Sequence, residues 1–188
     1  MVEIIEILRQ EHRNIEKLLN ALEQELNVFA RAERPDYEVI QAIIEYFKQY
    51  PDTCHHPKED IIYEKFKALA PGRAASINDL QVEHREGAER LHRVAQVIDN
   101  VINDQDLLRE SVDQIVRDFI DSERKHIAFE DEIVFPAILE TLKPRDWADI
   151  ALILADKYGP PSKADFEEQF GTVRRNILEL EQDAAGRR

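Results

Sequence analysis

The strongest constraint on this chain is the spacing of its apolar residues, which recur every three or four positions along four successive stretches. The first, Ile4, Leu8, Ile15, Leu19, Leu22 and Leu26, is one face of a helix. A polar break at Arg31 to Arg34 ends at Pro35, which suits the first turn of a new helix. The next run carries Ile40, Ile44, Phe47, Ile62, Phe66 and Leu69 and stops at the breaker pair Pro71-Gly72. A third, from about Ala74 to Ile102, has Ile77, Leu80, Ala88, Leu91, Ala95 and Ile98 on one face. The fourth follows Asn103-Asp104-Gln105-Asp106 and carries Val112, Ile115, Phe119, Ile133 and Ala137. Four long amphipathic helices with short connections predict an all-α fold, an up-and-down antiparallel four-helix bundle over residues 1–142.

Beyond Lys143-Pro144 the pattern shortens, and residues 143–188 read as two additional C-terminal helices packed on the bundle. One runs from about Trp147 to Lys157 and stops at Gly159-Pro160-Pro161. Ser162 caps the other, whose stripe is Phe166, Phe170, Val173, Ile177 and Leu180. Covering the bundle is the first expectation for that stripe, and a homodimer contact the second.

Composition agrees with this reading. A chain of 188 residues suits one core, and five glycines with 34% charged residues suit long helices better than a turn-rich β fold. Acidic residues outnumber basic ones, 39 to 25, so nucleic acid and anionic membranes are poor partners. Cys54 is the single cysteine, which leaves no intrachain disulfide and no sign of an oxidising compartment. The start, Met1-Val2-Glu3-Ile4-Ile5-Glu6, is acidic where a signal peptide is basic, and the longest apolar run, Ile150 to Ala155, is far short of the ~18 residues of a membrane span. A cytoplasmic location is the expectation.

Four of the six histidines, His12, His55, His84 and His126, lie on the apolar stripes of the four segments. In an antiparallel hairpin, residues at equal height are equidistant from the turn. The midpoint of His12 and His55 falls just before Pro35, that of Glu59 and His84 between Pro71 and Gly72, and that of His84 and His126 at Gln105. The three connections therefore predict that all four helices bring a histidine to one common level. A repeat reinforces it: Glu11-His12-Arg13 returns as Glu83-His84-Arg85, and His55-x-x-x-Glu59-Asp60 as His126-x-x-x-Glu130-Asp131. A spacing of four puts histidine and carboxylate on one face, about one turn apart. Buried without compensation, such a set would be strongly unfavourable, and coordination of metal removes the penalty. Two equal sets facing each other read as two ions.

These pieces, with His55-His56-Pro57-Lys58-Glu59-Asp60 and the run from His126 to Pro136, resemble the hemerythrin family, in its bacterial branch the HHE cation-binding domains, over roughly Ile4 to Thr141. The resemblance implies His12, His55, Glu59, His84, His126 and Glu130 as ligands of two non-haem irons, oxo- or hydroxo-bridged, with the carboxylates bridging or chelating. Two frames stay open: His56 with Asp60 is a second pair one residue along, although His55 with Glu59 continues the apolar stripe better, and Asp131 competes with Glu130. The family's oxygen carriers hold a further histidine four residues after the one matching His84, and Ala88 stands there. Simple reversible oxygen carriage is therefore not the expectation. His92 falls about 80° round the helix from His84 and reads as a surface or outer residue.

Imidazole with carboxylate suits iron or manganese, whereas structural zinc sites recruit thiolates, so iron stands ahead of manganese and zinc. Cys54 beside His55 reads as a small apolar residue rather than a ligand. Ferritin-like bundles carry Glu-x-x-His, and the order here is the reverse. Six protein ligands leave positions open on two irons, enough for O2, NO or peroxide. Three functions follow: binding or sensing of such a molecule or of iron, an oxidoreductase acting on peroxide or NO, or a metal-free helical interaction module.

Overall fold

The computed structural model of the chain describes residues 2–75, 77, 80–158, 175 and 177–179. Among them every regular element is helical: α1 Val2–Ala30, α2 Tyr37–Tyr50, α3 His56–Leu69, α4 Pro71–Ala74, α5 Leu80–Ile102, α6 Arg109–Phe129, α7 Phe135–Thr141 and α8 Pro144–Tyr158. Two five-residue π turns, Pro51–His55 and Glu130–Val134, join α2 to α3 and α6 to α7 without a break. The last helix expected from Ser162, with Phe166, Phe170, Val173 and Leu180, and the dimer contact assigned to it, lie outside the described residues. Ile177 of that stripe is described and is buried in the core.

Each π turn has a cause in the sequence. Proline has no N–H and its ring clashes with the carbonyl four residues back, so the ordinary ladder cannot continue through it. Ahead of Pro57, the His56 N–H reaches Pro51 O. Ahead of Pro136, the Phe135 N–H reaches Glu130 O. Such single wide turns recur at functional sites. They change which residues face inward: Val134 and Phe135 are fully buried, while Ile133, expected on the inner face, is 50% exposed. Leu69, at the very end of α3, is likewise 50% exposed rather than part of the stripe. The third segment also starts later than expected, at Leu80, because Pro71–Ala74 forms a short helix of its own.

Helix α1 packs on α2 and α6, and α5 packs on the same two, closing a ring of four. Polar ties fix the ends. Glu25 accepts the backbone N–H of Asp36 at 2.7 Å, and Asp36 in turn caps α2 by accepting from the N–H groups of Glu38 and Val39. Arg109 at the start of α6 donates to the carbonyl of Phe29 at the end of α1, while Arg9 near the start of α1 donates to the carbonyl of Asp131 beyond the end of α6.

The core has two apolar layers. One gathers Leu18, Leu22, Ile43, Phe47, Val94, Val116 and Phe119. The other gathers Ile5, Leu8, Ile62, Phe66, Leu80, Phe135 and Ile138, with Trp147 and Ile150 of α8. Burial of each such side chain stabilises the fold by about 1.5–3 kcal/mol. On every long helix the predicted histidine falls between the residues of one layer and those of the other, so the polar groups form a belt sealed above and below. No helix among the described residues is long and apolar enough to cross a membrane.

Candidate metal centre

His12, His55, Glu59 and Glu130 are all buried, and each offers a ligand atom to a group lying within 4.8 Å of one another. The Nε2 atoms of His12 and His55 stand 3.1 Å apart. Glu59 Oε1 is 3.4 Å from the first and 3.2 Å from the second, and Glu130 Oε2 is 3.3 Å from His12 Nε2. A second group within the same 4.8 Å limit is His56, His84 and His126. The same two carboxylates face it: Glu59 Oε2 is 3.7 Å from His84 Nε2, Glu130 Oε1 is 3.8 Å from that atom, and Glu130 Oε2 is 3.5 Å from His126 Nε2. Glu59 and Glu130 thus lie between two imidazole sets.

All six residues singled out by the sequence come together in this belt. His56 is the one that was set aside, as a rival frame to His55. His55 and His56, alternatives on an ordinary helix, each fall in one of the two groups, because the π turn ending at His55 lets two consecutive residues reach inward. The His56 ring stacks on His84 with centroids 3.8 Å apart. Asp60 and Asp131, the rival carboxylates, lie outside the histidines rather than between them. Ala88, expected to face the site, is exposed, and the residue turned inward at that level is Gly87. His92 is exposed, as expected.

A second layer of acids aims the rings. His12 Nδ1 donates to Asp131 at 3.1 Å, His55 Nδ1 to Glu11 at 2.8 Å, and His126 Nδ1 to Glu83 at 3.0 Å. His84 Nδ1 faces Asp60 at 3.6 Å. Each inward Nε2 is thereby left as the ligating atom, the carboxylate–histidine arrangement common around metals. This explains why the repeat includes Glu11 with Glu83 and Asp60 with Asp131: the acid beside each ligand on one helix braces the histidine of another. The signal was in the repeat, but spacing alone could not show that these acids point sideways. Buried Lys58 ties the other oxygen of Glu11 at 2.7 Å.

The acids and imidazoles of the belt set one another's charge. Burial works against a charge on His12, yet Asp131, Glu130 and Glu59 outweigh it and push its pKa up to about 12. For His84 burial is likewise outweighed, by Asp60, Glu130 and Glu59, giving about 10; for His55, Glu59 and Glu11 give about 9. His126 is raised against its burial by Glu130 and Glu83. Burial and Glu59 push Glu130 up, but His126, His12 and His84 hold it down at about 2. Both oxygens of Glu59 and of Glu130, and the Nε2 atoms of His84 and His126, are buried without a hydrogen-bond partner among the described residues. Buried polar atoms are nearly always satisfied, so so many orphans at one point call for a missing partner. A cation fits: two nitrogens bound at about 2.1 Å and at right angles lie about 3 Å apart, close to the observed His12–His55 spacing.

An all-helical fold with a buried belt of imidazoles and carboxylates defines a class of helical metal-binding proteins. Within it, the family model described as the hemerythrin HHE cation-binding domain matches residues 3–138, and the chain belongs to that family. No curated protein and no solved structure matches the chain.

Proposed function

We propose that this protein is a non-haem di-iron protein that binds or senses a small oxidant or NO. In this reading residues 1–142 are an antiparallel four-helix bundle, supported by the closed ring of α1, α2, α5 and α6, and residues 143–188 are an extension upon it. His12 and His55 would hold one ion and His56, His84 and His126 the other, with Glu59 and Glu130 shared. The observation that carries the proposal is the cluster of buried, unpartnered donor atoms on Glu59, Glu130, His84 and His126.

Paired irons, when bound, would supply redox-linked binding of O2, NO or peroxide at positions the protein leaves open. The chain's own part is selection and insulation. Glu11, Glu83, Asp60 and Asp131 hold each ring in the tautomer that presents Nε2 inward. The apolar layers around Phe135 and Phe47 keep bulk water from the belt and lower the local dielectric. Unequal imidazole sets make the two positions chemically distinct, with the more open one on the His12–His55 side.

The test is metal analysis with Mössbauer spectroscopy on protein produced in iron-rich medium. Two irons per chain with an antiferromagnetically coupled signal are expected. A chain that remains metal-free after anaerobic Fe(II) loading overturns the proposal.

A further inference from the structure

The two sides of the belt differ in what guards them. On the His12–His55 side each outer acid is faced by a cation: Lys58 Nζ lies 2.7 Å from Glu11, and Arg9 Nε 3.6 Å from Asp131. On the other side, Asp60 of α3 has no lysine or arginine within ion-pair distance among the described residues, and its side chain is 34% exposed. The histidines follow the same gradient, since His12 and His55 are sealed whereas His56 and His126 are half-buried. Lys58 and Arg9 repel an approaching divalent ion, so charge and exposure agree on one approach. It follows the contact of α3 with α5, past Asp60 to His84.

The pair found there is unlike the other three. Glu11, Asp131 and Glu83 take hydrogen bonds from their histidines at 2.8, 3.1 and 3.0 Å, but Asp60 Oδ1 stands 3.6 Å from His84 Nδ1. Asp60 faces the ring closely enough to orient it and too far to bond it. Both atoms are buried and without a hydrogen-bond partner among the described residues, and the side chain of His84 is only 8% exposed. They are near enough for one divalent ion to touch both. Further in, His84 Nε2 is equally unpartnered, with Glu59 Oε2 at 3.7 Å and Glu130 Oε1 at 3.8 Å. The other oxygens of these two acids reach His12, and that of Glu59 also His55. Cation-binding atoms therefore run from a surface carboxylate to the sealed end of the belt.

We propose that Asp60 and His84 form the entry port for cations, and that the His12–His55 position fills through the position of His56, His84 and His126. The proposal rests on the di-iron reading of the belt.

The experiment is stopped-flow mixing of Co(II) with the metal-free full chain, following the Co(II) absorption, with metal analysis of the end point. Wild type takes up two ions. Asp60→Asn is expected to load both about tenfold more slowly, and Asp60→Lys more slowly again, the gap between the two variants narrowing as salt is raised. Asp131→Asn changes an equally exposed acid on the guarded side; it is expected to hold its ions more weakly but to take them up at the wild-type rate. Circular dichroism of each metal-free variant confirms its helix content. Unchanged uptake rates in Asp60→Asn, an equal slowing in Asp131→Asn, or slowing of one ion while the other enters as in wild type overturns the inference while the di-iron reading stands. Failure of wild type to take up any ion overturns both.

Discussion

Loading the belt with a cation must expel protons from its imidazoles. His12, His84 and His55 have pKa values of about 12, about 10 and about 9, against an ordinary value of 6.5. Near neutral pH the set is therefore proton-rich, with one proton shared between the Nε2 atoms of His12 and His55, 3.1 Å apart, and Nε2 protons must be lost to bind a cation. Loading should release more than one proton from these residues, with a further contribution from His126, whose pKa is also raised. Isothermal titration of Fe(II) or Mn(II) into the apo-protein, repeated in buffers of different ionisation enthalpy, gives the number directly. The affinity should also tighten as pH rises, by up to about tenfold per pH unit for each proton released. The metal-free fold behaves oppositely. It holds protons that the unfolded chain gives up near 6.5, so their stabilisation is complete below that pH and is lost as pH rises through about 9 and about 10. Release of fewer than one proton on full loading would refute the electrostatic account of the belt.

Three further outcomes separate the parts of the site. Glu11→Gln removes the anion shared by His55 and buried Lys58; the apo-protein should lose about 3 kcal/mol in chemical denaturation, and metal affinity should fall about 10- to 100-fold. Adding Lys58→Met should restore most of the stability and none of the affinity. His56→Ala should leave the first ion in place and reduce the stoichiometry toward one, as read by metal analysis after gel filtration; retention of two tightly held ions would return His56 to a stacking role against His84. Ala32 closes the α1–α2 turn at a φ of 61°, a conformation unfavourable to a residue with a Cβ; Ala32→Gly should stabilise by about 0.5–1 kcal/mol, raising Tm by about 1–4 °C in calorimetry.

Periodicity and the midpoint rule carried the helices and the common level of the histidines, because both follow from one repeating geometry that any amphipathic hairpin obeys. They failed where the geometry stops repeating. Ile133 and Ala88 were placed inside by a 3.6-residue period, and each lies at the surface. For Ile133 the cause is the wide turn ahead of Pro136, which resets the phase so that Val134 and Phe135 point inward instead. The same mechanism at Pro57 brings both His55 and His56 to the belt. Prolines six and two residues from the key ligands were visible in the sequence, but a proline inside a helix can end it, kink it or widen it, and only packing decides which. The acids that brace the rings were hidden for another reason. Glu11 and Asp131 look like solvated neighbours of ligands until the opposite helix is in place.

The repeat that builds the belt is faithful in its ligands and unfaithful around them. Glu11 and Glu83 each brace a histidine from the partner helix, but Glu11 is neutralised by Lys58 while the position matching Lys58 in the second half is Phe129, and Glu83 lies in a partly exposed setting. A lysine drawing on Glu11 weakens the pull of that acid on His55. The second position also gains an imidazole, from His56, that the repeat does not supply to the first. In the proposed di-iron reading both differences would act in the same direction, toward richer donation from the group of His84 and His126 than from that of His12 and His55. Ions held by the two groups would thus meet different donor sets, a difference that two identical halves could not provide.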